Sequence, residues 1–270
     1  MGADIKSLRN RIKSVDSTLH LTRAMGLVAS SKIRRAMDNM NKGRQYEAAV
    51  RSAIEPLLHS PDCARSPYMR ATPTGEHERV CLVVVAGDRG LAGGYNANVF
   101  RALQDYPDAE IIAIGKRVCD RYGEDTLRAE GFDYSTALGM SMELCRDFAE
   151  GKYDRIGILC TQYISMLSQE VQLRWVFPLQ RSENAPASSA VFEPDEISIL
   201  NAAIPEYVAG ILISAVRESF ACEVAARRTA MDSAGKNAQE MIDRLQLQYN
   251  RARQGAITQE ITEIVAGSGM

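Results

Sequence analysis

Apolar and small residues recur at alternating spacings of three and four along the first part of the chain. The seam runs Ile5, Leu8, Ile12, Val15, Leu19, Thr22, Gly26, Ala29, Ile33, Ala36, Met40, Gly43, Glu47, Val50, Ile54 and Leu57, interrupted at Thr22, Gly43 and Glu47. A heptad sustained this long predicts a coiled-coil or bundle helix over residues 1–58, since only a 3.5-residue repeat keeps one face turned to a partner helix. At ~1.5 Å per residue it would span roughly 80 Å. Around residues 19–33 a second apolar stripe, Leu21, Met25 and Val28, lies on another face of the same helix. A helix apolar on two faces has to be covered on two faces. The second cover is either the protein's own globular part or another protein, and the pattern leaves both open.

The period then changes. After a Pro- and Ser-rich stretch over residues 60–77, Val80–Ala86 is a short continuous apolar run, as expected of a strand buried on both faces. Helical and strand-like segments alternate from there. A helix is predicted from Asn96 to Tyr106, a strand at Glu110–Gly115, a short helix from Lys116 and a weak strand near Phe132. A helix over Ser141–Glu150 and strands at Arg155–Cys160 and Val171–Phe177 follow. This alternation predicts a small Rossmann-like, doubly wound α/β domain over residues 77–180. A second linker spans residues 181–194, and a short helix at Asp195–Ala203 precedes Pro205. Residues 205–268 then read as a final long helix, with Pro205 in its first turn. Its small residues, from Ala215 and Ser219 to Ala234 and Ala238, permit close approach to the Thr22, Gly26 and Ala29 stretch. The predicted fold class is α/β plus coiled coil: two terminal helices pair antiparallel, with the α/β domain inserted between them.

Composition narrows the chemistry. The chain has 270 residues and a formal net charge of −2. Residues 1–58 carry eleven Lys/Arg against five Asp/Glu, whereas residues 59–204 carry fourteen against twenty-one. The basic residues are dispersed among apolar ones, which favours a solvated face or an acidic protein partner over nucleic acid. Six cysteines without a Cys-x-x-Cys pair, and three unclustered histidines, offer neither a metal site nor a catalytic histidine. No signal-peptide pattern and no run of 18 apolar residues is present, so bilayer insertion is not expected. The one segment that suggests ligand chemistry is Gly87-Asp88-Arg89-Gly90-Leu91-Ala92-Gly93-Gly94-Tyr95-Asn96, between a strand and a helix. Such turns cradle phosphates with backbone N–H groups. This one matches neither Gly-x-Gly-x-x-Gly nor a Walker motif, so a structural turn is the favoured reading.

Three segments carry a family resemblance. Thr22-Arg23-Ala24-Met25-Gly26-Leu27-Val28-Ala29-Ser30-Ser31-Lys32, the Gly87–Asn96 turn, and Leu247-Gln248-Tyr249-Asn250-Arg251-Ala252-Arg253-Gln254-Gly255-Ala256-Ile257-Thr258-Gln259-Glu260 are similar to the gamma subunit of F-type ATP synthases. The resemblance implies a rotor without an active site, cofactor or metal of its own. Its terminal helices would enter a hexamer of alpha and beta subunits, while its α/β domain would meet the epsilon subunit and the ring of c subunits. It also implies a peripheral position at the cytoplasmic face of a bacterial membrane. Matched residue by residue, Arg23, Met25, Lys32, Arg89, Arg253, Gln254 and Thr258 stand where the family contacts loops of beta. Departures are Ala92 in place of a cysteine, Gly26 in place of a polar residue, and His20-Leu21 in place of Gln-Ile. A helix-interior glycine costs roughly 1 kcal/mol against alanine, so stiffness near Gly26 is expected to be reduced. These differences suggest a divergent bacterial member.

Overall fold

A computed structural model describes residues 2–70, 78–123, 125–181 and 192–268. The predicted linkers fall partly outside the described residues, as does His77. Helix α1 spans Gly2–His59, and the last helix, α5, spans Glu196–Ser268. Between them lie strands β1 (Val80–Val85), β2 (Glu110–Ile114), β3 (Arg155–Tyr163) and β4 (Gln169–Phe177). Helices α2 (Tyr95–Leu103), α3 (Lys116–Tyr122) and α4 (Tyr134–Ala149) separate the first three strands. The chain divides into two compact units, one formed by residues 31–226 and the other by residues 1–30 with 227–270. The larger unit takes in the second half of α1 and the first half of α5, whose side chains pack with the sheet.

In the larger unit the sheet order is β2-β1-β3-β4. β1 is parallel to both β2 and β3, whereas β3 and β4 are antiparallel. The sheet is therefore mixed, with one antiparallel edge strand on an otherwise parallel sheet. Only residues 164–168 join Tyr163 to Gln169, and a parallel crossover needs a dozen residues or more. The continuous apolar run of β1 has the predicted cause, since its side chains serve two cores. Leu82 and Val84 pack with Val99 and Leu103 of α2 and Val118 of α3. Cys81, Val83 and Val85 share the other core with Leu144 and Phe148 of α4, Ile54 and Leu57 of α1, and Ile204, Val208 and Leu212 of α5.

Three local expectations change. Residues around Phe132 form a turn rather than a strand, with Gly131 at φ +94° and the Phe132 side chain buried. The short helix before Pro205 is continuous with the final one. Asp195 caps its start, accepting from the Ser198 backbone N–H at 2.8 Å and from the Ser198 hydroxyl at 2.8 Å. A helix-interior proline costs ~3 kcal/mol, and the complete burial of Leu200 and Ile204 just before it offsets that cost. Finally, α5 contains a stretch long and apolar enough to cross a membrane by composition, but most of that stretch is buried within the protein as core.

In the smaller unit Leu19, Ala238 and Ile242 form a buried cluster flanked by Ile12 and Val15. A Cβ on Gly26 would lie 3.6 Å from the Met231 Cβ, and one on Gly235 would lie 3.7 Å from the Thr22 Oγ1. Higher numbers on one helix thus meet lower numbers on the other, the order of an antiparallel pair. Gly26 thus faces Met231, and Gly235 faces Thr22 and Leu19.

Candidate partner-contact site

The Gly87–Asn96 turn leaves the C-terminal end of β1 and enters α2, and carboxylates of the chain itself fill it. The Asp88 and Arg89 backbone N–H groups donate to the two oxygens of Glu223, at 3.3 Å and 3.2 Å. Glu223 sits on α5 and is 1% exposed. The Gly87 N–H donates to Asn96 Oδ1 at 2.9 Å, and Asn96 Nδ2 returns a bond to the Arg89 carbonyl at 3.2 Å. Gly87 is required by crowding, because a Cβ there would stand 2.9 Å from the Glu223 Cδ and 3.0 Å from Asn96 Oδ1. The position a bound phosphate would take against these N–H groups is occupied by the Glu223 carboxylate, which supports the structural-turn reading.

Asp88 carries the next layer. Its Oδ1 accepts from the backbone N–H groups of Lys116 and Ala129, each at 3.1 Å, and its Oδ2 accepts from that of Glu130 at 2.7 Å. This fixes the start of α3 and the segment that carries Glu130. Gly115, at φ +101°, makes the approach possible, since a Cβ there would lie 2.0 Å from the Ala86 carbonyl oxygen. Beneath the turn, the Tyr95 phenol donates to the Ser219 carbonyl at 3.0 Å. Complete burial pushes its pKa well up, and the Glu223 charge adds to the effect.

The outward product is a three-residue ionic cluster. Glu130 pairs with Lys32 of α1 and, at 3.5 Å, with Arg89. Side-chain exposures of 37% for Lys32 and 62% for Arg89 make these pairs worth only ~0–1 kcal/mol each, so they orient the cations more than they stabilise the fold. Two residues chosen from sequence, Lys32 and Arg89, are thus brought together.

The others lie in the smaller unit. Arg23 donates to Gln239 Oε1 at 3.3 Å. Met25 is half-buried, while Leu21, Leu27 and Val28 are exposed at 59%, 72% and 52%. Arg253, Gln254 and Thr258 are exposed on α5. They sit fourteen or more residues beyond Gln239, or ~20 Å along a helix, so this unit does not gather them around Arg23. Ile257, Ile261, Ile264 and Val265 on the same stretch are exposed as well. Sequence reasoning missed Glu130 and Glu223. Glu130 carries no local signal, but Glu223 stands out as a carboxylate within Ala221-Cys222-Glu223-Val224-Ala225-Ala226. Among the described residues no cluster of His, Cys, Asp or Glu is arranged to hold a metal ion.

A family model described as ATP synthase matches residues 4–269. The ATP synthase gamma chain of Ruminococcus albus is 36% identical over 286 residues, covering 98% of both chains. The chain belongs to the ATP synthase gamma-chain family. Another gamma chain, from Alkaliphilus metalliredigens, is 37% identical over 291 residues and covers 99% of both. The Acetobacterium woodii relative, named as a sodium-ion-specific ATP synthase gamma chain, is 33% identical over 301 residues, again with 99% coverage of both. Among solved structures, a chain of the Euglena gracilis mitochondrial ATP synthase (OSCP/F1/c-ring) shares the fold. Its TM-score is 0.66 at 17% identity, covering 98% of this chain and 94% of that one. A chain from the Tetrahymena thermophila central stalk and c-ring gives 0.59 at 20% identity, covering 79% and 99%. The long C-terminal helix and small mixed sheet are thus the gamma-chain fold, and the chain is a non-catalytic subunit of an ATP synthase.

Proposed function

We propose that this gamma chain is the central-stalk rotor of an F-type ATP synthase, coupling ion-driven rotation of a membrane ring to conformational change at catalytic sites on beta subunits. One observation carries the reading. On the first part of α1 one side is packed, with Leu19, Thr22 and Ala29 buried, while Leu21, Leu27 and Val28 stand exposed. Paired helices that leave large apolar side chains in water on a second face are suited to being enclosed by other subunits. In this reading α1 and α5 pair as an antiparallel coiled coil, turned inside a hexamer of alpha and beta subunits. Arg23, Met25, Lys32, Arg89, Arg253, Gln254 and Thr258 meet loops of beta. Dispersed cations facing acidic loops give salt-sensitive attraction while each exposed pair stays weak, which suits a part that must slide. The epsilon subunit and the c ring contact the α/β part, which places the chain peripherally at the cytoplasmic face of a bacterial membrane.

The direct test is reconstitution. The chain, mixed with alpha and beta subunits from the same host, is expected to form a complex that hydrolyses ATP and turns a bead attached to the α/β part. A chain that elutes alone after mixing refutes the rotor reading.

A further inference from the structure

We propose that Glu223 is a positioning residue for the Arg89–Glu130–Lys32 cluster: a carboxylate on α5 that fixes the Gly87–Arg89 turn to that helix. The inference rests on the rotor reading for what the cluster contacts, and on geometry for how it is held. A glutamate is almost never fully buried unless it is paired or hydrogen-bonded, and Glu223 is 1% exposed. Its oxygens divide the work, Oε2 accepting from Asp88 N–H and Oε1 from Arg89 N–H. A Cβ at position 87 would stand 2.9 Å from the Glu223 Cδ, so the glycine leaves open the space that this carboxylate takes. From there the hold passes outward in covalent and hydrogen-bonded steps. Glu223 fixes the backbone of residues 88 and 89, the Asp88 side chain fixes the Glu130 backbone, and Glu130 orients Arg89 and Lys32.

Neighbours on the same helix grip the adjacent strand in the same manner. Ser219 Oγ accepts from the Thr161 N–H at 3.0 Å, and Glu218 Oε1 accepts from the Tyr163 N–H at 2.9 Å while also pairing with Arg44. Three side chains within Glu218–Glu223 thus hold the ends of β1 and β3 to α5. Apolar packing is non-directional, whereas hydrogen bonds weaken steeply off axis, so these bonds resist sliding of the sheet along the helix. A load applied at Arg89 is passed to α5 through Glu223.

The test uses the full chain and compares the wild type with E223A and the near-isosteric E223Q. Backbone amide exchange at Asp88 and Arg89 is expected to rise about tenfold or more in E223A, the scale set by loss of a charged acceptor. The rise is smaller in E223Q, which keeps one acceptor oxygen. Added formate, small enough to enter the vacated seat, is expected to restore part of the protection in E223A but not to alter the wild type. Unchanged exchange at residues 88 and 89 overturns the proposal. So does a loss of protection spread evenly over the sheet and unmoved by formate, because that marks a general packing role.

In the reconstituted synthase, E223A is expected to lower ions pumped per ATP hydrolysed by about threefold, the scale of a modest change in coupling between two sites. Equal coupling in assembled wild-type and E223A complexes overturns the positioning role. Failure of the wild-type chain to assemble instead refutes the rotor reading, and the exchange measurement still decides what Glu223 holds.

Discussion

Replacing Asp88 removes a carboxylate that accepts three backbone N–H groups at once, from Lys116, Ala129 and Glu130. Hydrogen bonds to charged groups contribute ~1.5–3 kcal/mol each, and a buried donor left unpaired costs ~1–3 kcal/mol. The three bonds share one anchor and two of the donors lie near solvent, so simple addition overstates the loss. Asp88→Ala is therefore expected to cost about 3–5 kcal/mol. Asp88→Asn keeps Oδ1, which serves Lys116 and Ala129, and turns an amide N–H toward the Glu130 donor. It should cost about half as much. Urea unfolding of the isolated chain, followed by circular dichroism and by amide exchange at Glu130, reads both effects. The midpoint falls in the order wild type, Asp88→Asn, Asp88→Ala, while the urea slope stays constant. A loss below about 1 kcal/mol for Asp88→Ala, or equal losses for both variants, would refute the assignment of Asp88 as the organiser of this loop.

Three further outcomes are expected. Gly26→Ala places a methyl 3.6 Å from the Met231 Cβ, an ordinary contact, so it should raise the melting temperature through a gain of roughly 0.5–1 kcal/mol; a drop would mean that the helices have to approach closer than they do here. Leu21→Ser and Val28→Ser change exposed side chains, so stability should move by no more than ~0.5 kcal/mol while binding to an alpha–beta hexamer weakens severalfold in a pull-down titration. A large loss of stability would show that this face is covered by the chain itself. Burial pushes the thiols of Cys81, Cys145 and Cys160 up to about 12, and all six cysteines are buried thiols. Iodoacetamide at about pH 8, well below those values and near the ordinary thiol range, should label none of these three in the folded chain and all of them in urea, as mass spectrometry of peptides would read. Rapid native labelling of Cys81 would contradict its burial.

How much was legible in the sequence varied with the range of the interaction. The heptad over α1 marked a helix of nearly its observed extent, because the seam residues Leu19, Ala29, Ile33, Ala36 and Met40 are indeed buried. The run Val80–Ala86 announced a strand covered on both faces. Helix α5 was divided at Pro205, since local propensity penalises an interior proline, and burial of Leu200 and Ile204 overrode that penalty. The antiparallel pairing of the fourth strand was not read from the sequence, because only in the folded chain do β3 and β4 extend to Tyr163 and from Gln169 and leave a connection too short for a crossover. Phe132 was misread as a strand because its apolar side chain enters the core from a turn.

Sequence by itself determined the repeat that makes the terminal helices, the buried first strand, the gamma-chain signature at the Gly87–Asn96 turn, and the cations set along α1. Each is written in neighbouring residues or in a periodic spacing, so it needs no knowledge of what folds against it. Tertiary structure alone decided what fills the glycine-rich turn. Glu223 lies more than a hundred residues from Asp88 and Arg89, and Glu130 about forty from Arg89. Hydrogen bonds between groups so far apart leave no spacing to read, because the donors are backbone N–H groups that every residue but proline carries. The turn that looked, by its glycines, like a cradle for phosphate is closed by a carboxylate from the chain's own last helix.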